Sequence, residues 1–260
     1  MNKYQEPRTK NQALTIGWLY PDLMSTYGDR GNIMVLQKRC EWRGIESKVV
    51  NINQNSSVNI FGNIDLLFGG GAQDREQDIV VKDLNKKRVS LKQMIDDMKP
   101  SLFVCGSPQL LGKYYEPSVG NRIEGLGIFD MISIHPGPKE KRLIGNIIAN
   151  SQWPMANSQI VGFENHGGRT YLGKSALPFA KVIKGYGNNG EDGTEGIVYK
   201  NAIGSYFHGP FLSKNPEVAD WLIRTALEVK YKKTINLNPL DDSLELNAKD
   251  LIAKRLGVKL

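Results

Sequence analysis

The cysteine whose setting suits chemistry is Cys105, in Ser101-Leu-Phe-Val-Cys105-Gly106-Ser107-Pro108-Gln109. An apolar run of strand type stops at the thiol and turns straight into a stretch of helical type, the pattern of a nucleophile elbow. A sulfur placed there faces the unpaired N–H groups of a helix N-terminus, whose partial positive charge favours the thiolate. Gly106 removes side-chain bulk beside the sulfur, so its N–H can approach an oxyanion formed when the thiolate attacks a carbonyl. The bland alternative is a small buried hydrophobe ending a strand; the strand-to-glycine turn argues against it. A thiolate nucleophile needs a base, and the chain has three histidines. His208, in Ala202-Ile-Gly-Ser-Tyr-Phe-His208-Gly-Pro210, follows an apolar strand at a Gly-Pro turn and belongs on the rim where the other strands end. His166, after Glu164-Asn165, is the second candidate base and reads equally well as a structural histidine. His135, before Pro136-Gly137-Pro138, reads as an incidental surface residue.

These groups can meet only if the chain folds as a layered sheet. Residues 14–20, 46–52 and 64–68 read as strands, with a helix over 32–43 that Asn32 should cap and Gly44 should end. This β-α-β rhythm predicts an α/β fold, a mostly parallel sheet with helices on both faces. The third strand runs into Gly69-Gly70-Gly71-Ala72-Gln73-Asp74, where N–H groups of Gly70 and Gly71 could supply a second oxyanion donor. The run lacks the lysine of a phosphate loop. A polar helical region over 74–98 leads to the cysteine strand. Further strands are expected at 128–134, 143–149, 159–164, 197–199 and 203–207, several of them antiparallel, with 185–196 an exposed, mobile loop. A helix is expected over 216–231. Asp242 and Glu245 form a capping-box pattern before a last helix. The division expected is a polar extension at 1–14, a main domain at 15–231 and a helical tail at 232–260.

Composition bounds the rest. With 260 residues, 40% of them hydrophobic, the chain can bury one sizeable core. The net charge of +7 is dispersed and carries no aromatic-interleaved basic motif, so nucleic acid is not an expected partner. The densest basic cluster, at 82–92, reads as a solvated helical face. No apolar run reaches spanning length, and the polar N-terminus is not an export signal, which together with only two cysteines points to a reducing cytoplasm. Cys40 shares a helical stripe with Ile33 and Leu36 and should be a buried thiol.

The motifs Cys105-Gly-x-x-Gln109, Gly69-Gly-Gly71 and Tyr206-Phe-His208-Gly-Pro210 resemble class I glutamine amidotransferases of the cobyric-acid-synthase-like branch, which have a flavodoxin-like fold. The set Tyr27-Gly-Asp-Arg-Gly-Asn32, Gly71-Ala-Gln-Asp-Arg-Glu-Gln77, Arg142-Leu-Ile-Gly145 and Gly162-Phe-Glu-Asn-His166 is similar, within that branch, to the glutaminase subunits of lipid II isoglutaminyl synthases. The resemblance implies hydrolysis of L-glutamine to glutamate and ammonia. A Mur-ligase-like partner (MurT), holding Mg-ATP, would use the ammonia to amidate D-isoglutamate of the lipid II stem peptide. It implies Cys105 as nucleophile, His208 as base and then acid, Gly70, Gly71 and Gly106 as the oxyanion hole, and Arg142 and Gln109 as substrate-binding residues. No metal or cofactor is expected in this chain, and any membrane contact would come through the lipid-linked acceptor at the inner face. Where many class I glutaminases carry a glutamate two residues after the histidine, this chain has Pro210. His208 is therefore expected to be oriented by a backbone carbonyl or by an acid from the ligase subunit. The competing readings are a corrinoid acceptor for the same ammonia and a non-catalytic flavodoxin-like binding module.

Overall fold

The computed structural model describes residues 12–156 and 158–259. Its centre is a six-stranded sheet built from β1 (Ala13–Leu19), β2 (Glu46–Ile52), β3 (Leu66–Gly69), β4 (Ser101–Val104), β13 (Ile197–Tyr199) and β14 (Ala202–Ser205), in the order β13-β14-β4-β3-β1-β2. All neighbours run parallel except β13, which pairs antiparallel with β14 at one edge. Every residue of β3, β4 and β14 is buried, as expected of central parallel strands covered on both faces, whereas the edge strand β2 alternates with solvent. Around the sheet lie α1 (Arg30–Glu41), α2 (Asp74–Lys86), α3 (Arg88–Asp96), α4 (Gly106–Leu111) and α5 (Pro216–Tyr231). Strand register aligns the C-terminal ends: Leu19 pairs with Gly69, Gly69 with Phe103, and Val104 with Ser205. The loops after β1, β3, β4 and β14 therefore emerge together on one rim, the usual place for a site in an open α/β sheet.

Two smaller sheets flank this body. One joins β5 (Tyr114–Glu116), β6 (Ile123–Glu124), β7 (Met131–Ile134) and β10 (Arg169–Leu172); the other joins β8 (Leu143–Ser151), β9 (Gln159–His166), β11 (Ala180–Lys184) and β12 (Thr194–Glu195). This is the expected antiparallel extension, with one parallel pairing, β5 with β7. It reaches the rim through an isolated bridge between Phe163 on β9 and His208. The final helix, α6 (Ser243–Arg255), packs Ala253 against Ile148 and Val161 of the extension.

Several local expectations change. Asn32 does not cap α1; it lies inside the helix, and its side chain accepts the Leu212 N–H at 2.9 Å. The helical stretch at 74–98 is two helices broken at Lys87, which is buried and pairs with buried Asp83, so the basic run is not wholly a solvated face. Asp242 precedes α6 without capping it, because its carboxylate serves the buried Arg39 guanidinium at 2.6 Å. The loop at 185–196 is not simply exposed: Glu164 accepts the N–H groups of Tyr186 and Gly187 at 2.7 and 2.9 Å, and buried Asn188 accepts from Gly196. Cys40 is buried as expected, and burial pushes its thiol up to about 12. Residues 1–11 of the expected N-terminal extension lie outside the described residues, and positions 13 and 14 already belong to β1.

Candidate active site

The turn from β4 into α4 puts Cys105 at φ 54°, ψ −99°, a conformation that a non-glycine residue holds only when its surroundings impose it. Those surroundings are dense. The Cys105 N–H donates to Ser205 O at 2.8 Å, tying the elbow to β14. A Cβ on Gly71 would come within 3.1 Å of the Cys105 Cβ and 3.0 Å of His208 Cε1, so only glycine lets the loop pass between thiol and imidazole. Cys105 stays 8% exposed, at the wall of a cavity of about 480 Å³.

His208 is fully buried, its backbone held by Phe163 and its ring met edge-on by Tyr27 with centroids 5.0 Å apart. Its Nδ1 lies 2.9 Å from Oδ1 of Asp29, also fully buried. The orienting acid thus comes from this chain, not from a partner or a backbone carbonyl as Pro210 had suggested. Burial alone would lower the His208 pKa, but the Cys105 sulfur and the Asp29 carboxylate outweigh it and raise it. The ring's Nε2 has no partner in strict hydrogen-bond geometry, yet the Cys105 sulfur is near enough to favour the imidazolium, and apo sites of this kind are often loose. Asp29 sits in the Tyr27–Asn32 motif, in the loop after β1. The signal available was topological: an acid in the first βα loop must reach the rim that β4 and β14 share.

The oxyanion expectation changes in part. Gly71 donates its N–H to Oδ2 of Asp29 at 2.6 Å, so it is spent on the acid. Gly70 packs behind the loop, its carbonyl accepting the Ser107 hydroxyl at 2.6 Å. The next residue, Ala72, lines the cavity with Cys105, and its N lies 2.9 Å from where a Gly106 Cβ would stand. The backbone N of Ala72 therefore lies against Gly106, the residue that follows the thiol. Gly106, as expected, must lack a side chain.

Arg142 and Gln109 both line this cavity. Gln109 is fixed rather than free: Oε1 accepts from Gln77 Nε2 at 3.0 Å, and Nε2 donates to Tyr206 Oη at 2.9 Å. Arg142 donates through Nε to Asn165 Oδ1 at 2.9 Å and through Nη2 to Asn165 O at 2.8 Å, which leaves the Nη1/Nη2 end as an open fork. His166 stacks on Tyr206 with ring centroids 3.7 Å apart and lines the cavity, while burial lowers its pKa. Its Nδ1 bonds Gly168 O at 2.8 Å, and the buried Glu164 carboxylate stands 3.9 Å from its Nε2, farther than Asp29 stands from His208. His135 accepts the Gly137 N–H at 3.1 Å and takes no bond from the rim.

A cysteine on a strained elbow and a buried histidine–aspartate pair at the rim of a parallel sheet define a nucleophilic hydrolase of the acyl-transfer type. A family profile described as the CobB/CobQ-like glutamine amidotransferase domain matches residues 15–216, and the chain belongs to that family. It is 42% identical over 244 residues to the lipid II isoglutaminyl synthase (glutamine-hydrolyzing) subunit GatD of Staphylococcus aureus, covering 93% of this chain and 96% of that protein. It is 41% identical to the subunit of the same name from Streptococcus pneumoniae, covering 89% of this chain and 87% of that one. A cobyric acid synthase of Listeria innocua is 29% identical over 58% of this chain but only 30% of its own length. Among solved structures, a glutamine amidotransferase superposes with a TM-score of 0.56 at 13% identity, over 81% of this chain and 98% of that one. The glutaminase domain of the Trypanosoma brucei CTPS superposes at 0.55 with 10% identity, over 86% and 96%. These two superpositions bear out the flavodoxin-like amidotransferase fold.

Proposed function

We propose that this chain is the glutamine-hydrolysing subunit of a lipid II isoglutaminyl synthase, acting through Cys105, His208 and Asp29. The observation that carries the chemistry is the Asp29–His208 pair buried at 2.9 Å beside a thiol on a strained elbow. The acceptor rests on the two GatD relatives, which match nearly end to end, whereas the cobyric acid synthase match leaves most of that protein uncovered.

The sulfur of Cys105 attacks the side-chain amide carbon of glutamine, and the amide oxygen becomes an oxyanion beside the N–H groups of Gly106 and Ala72. Each such donor is worth roughly 3 kcal/mol in comparable hydrolases. His208, protonated at Nε2 and held through Nδ1 by Asp29, gives its proton to the departing nitrogen, and ammonia leaves a γ-glutamyl thioester. The neutral imidazole then takes a proton from water, the hydroxide adds to the thioester carbon, and the second oxyanion collapses to glutamate and the free thiol. Gln109, locked between Gln77 and Tyr206, and the open fork of Arg142 orient the substrate, the latter on its α-carboxylate.

The ammonia is consumed by a Mur-ligase-like subunit (MurT) that binds Mg-ATP and activates the D-isoglutamate carboxyl of the stem peptide; this chain itself holds no cofactor. Among the described residues no helix is long and apolar enough to cross a membrane, and we place the chain in the cytoplasm, where the lipid-linked acceptor brings it to the inner face. The test is co-purification with such a subunit and assay of muropeptide amidation. Cys105→Ser should abolish glutamine-dependent amidation while added ammonium restores it; loss under both nitrogen sources, or no loss, overturns the proposal.

A further inference from the structure

Free glutamine presents two charges at the end remote from its amide, and a site that reads only the carboxylate would accept glutamine's des-amino analogue equally well. Among the described residues lining the cavity beside Cys105, the cations are Arg142 and Arg75, and the one carboxylate is Asp74. We propose that Asp74 is the subsite for the α-ammonium of the substrate, so that Asp74 and Arg142 together select a free α-amino acid; this rests on the glutamine-hydrolase reading.

The placement of Asp74 is built rather than incidental. It is the first residue of α2, in the turn where acidic side chains complement the helix dipole. Oδ1 accepts the hydroxyl of Tyr115 at 3.0 Å, and that tyrosine is buried in β5 and lines the same cavity. No described residue donates a hydrogen bond to Oδ2, which leaves one oxygen for a ligand cation. Asp74 and Arg142 line the same cavity, and His135 feels both charges, with opposite sign. A half-buried, held carboxylate with a free oxygen suits an ammonium donor, since charge-assisted hydrogen bonds are shorter and stronger than neutral ones.

The test compares L-glutamine with glutaramate, which keeps the amide and the carboxylate and lacks the amino group. Binding of both is measured calorimetrically on Cys105→Ala, alone and combined with Asp74→Asn or Tyr115→Phe. Asp74→Asn should weaken glutamine by roughly 10- to 100-fold and leave glutaramate unchanged, because only glutamine loses a charge-assisted bond. Tyr115→Phe should weaken glutamine by less and again spare glutaramate. Equal loss for both ligands, the outcome of a merely structural Asp74, overturns the subsite, as does no loss for glutamine. Turnover by the parent chain separates the two claims. Turnover with no Asp74 effect sinks the subsite alone, and binding discrimination without turnover sinks the hydrolase reading alone.

Discussion

Asp29→Asn is the sharpest perturbation of the site, because the replacement has the same shape and only the donor pattern changes. The Asp29 carboxylate accepts twice, from Gly71 N–H at 2.6 Å and from His208 Nδ1 at 2.9 Å, and all three groups are buried. Asparagine has one oxygen and one NH2. The Gly71 N–H is a fixed backbone donor, so the oxygen must stay on it and the NH2 must face Nδ1. His208 then accepts at Nδ1 and carries its proton on Nε2, the wrong tautomer to take a proton from water. In a comparable triad this exchange costs about 10⁴-fold in kcat, or roughly 5 kcal/mol of barrier. Losing the carboxylate also lowers the His208 pKa from its raised value, because the imidazolium loses one of the two groups that favour it. The limb of the pH–rate profile set by loss of the imidazolium therefore moves to lower pH. The assay is glutamate release across a pH series, with KM measured alongside. A variant whose kcat stays within about threefold of the parent, with an unmoved pH profile, refutes the reasoning.

Other consequences can be checked with ordinary variants. Gly71→Ala places a methyl 2.5 Å from Thr26 Oγ1 and close to both catalytic side chains, so glutaminase kcat should fall at least about 100-fold while circular dichroism stays that of the parent. Arg142→Ala should raise KM for glutamine roughly 10- to 100-fold and leave kcat nearly unchanged; a fall in kcat alone would contradict its place on the α-carboxylate. Arg39→Met takes from Asp242 its buried guanidinium and leaves Asp220 with Arg43 alone, and should cost about 3 kcal/mol in urea unfolding. Glu195 is buried, and burial pushes its carboxyl up from 4.5 to about 7 against the hydrogen bonds from Ser205 and Tyr206. The folded chain then holds a proton that the unfolded chain has released, so stability falls as pH rises from 4.5 to about 7. Thermal melts of Glu195→Gln across that window should show a shallower fall than the parent.

The part of the site legible in the sequence was the part written in local pattern. An apolar strand that stops at a cysteine and turns through glycine has few structural solutions, and β4, the elbow and α4 are found where that pattern put them. The strand at 197–199 and the helix at 216–231 were equally local and match β13 and α5. What was not legible depended on contacts between distant segments. Asp29 and His208 lie 179 residues apart, and nothing near either one announces the other. The Gly71 N–H was open to an oxyanion until the fold supplied Asp29, and Asp242 was a good cap until Arg39 arrived from α1. In each case a polar group that local rules assign to its own turn is taken by a buried charge from elsewhere, because leaving that charge unpaired would cost more than the cap gains.

The most direct measurement is the intact mass of this chain after incubation with a glutamine-shaped diazo-ketone, followed by peptide mapping. The account predicts a single adduct, the reagent less dinitrogen, on Cys105, formed by the parent chain without any partner and slowed strongly in Asp29→Asn and His208→Ala. An unmodified Cys105, a label spread equally over Cys40, or labelling that needs an added subunit would contradict a nucleophile assembled wholly within this chain.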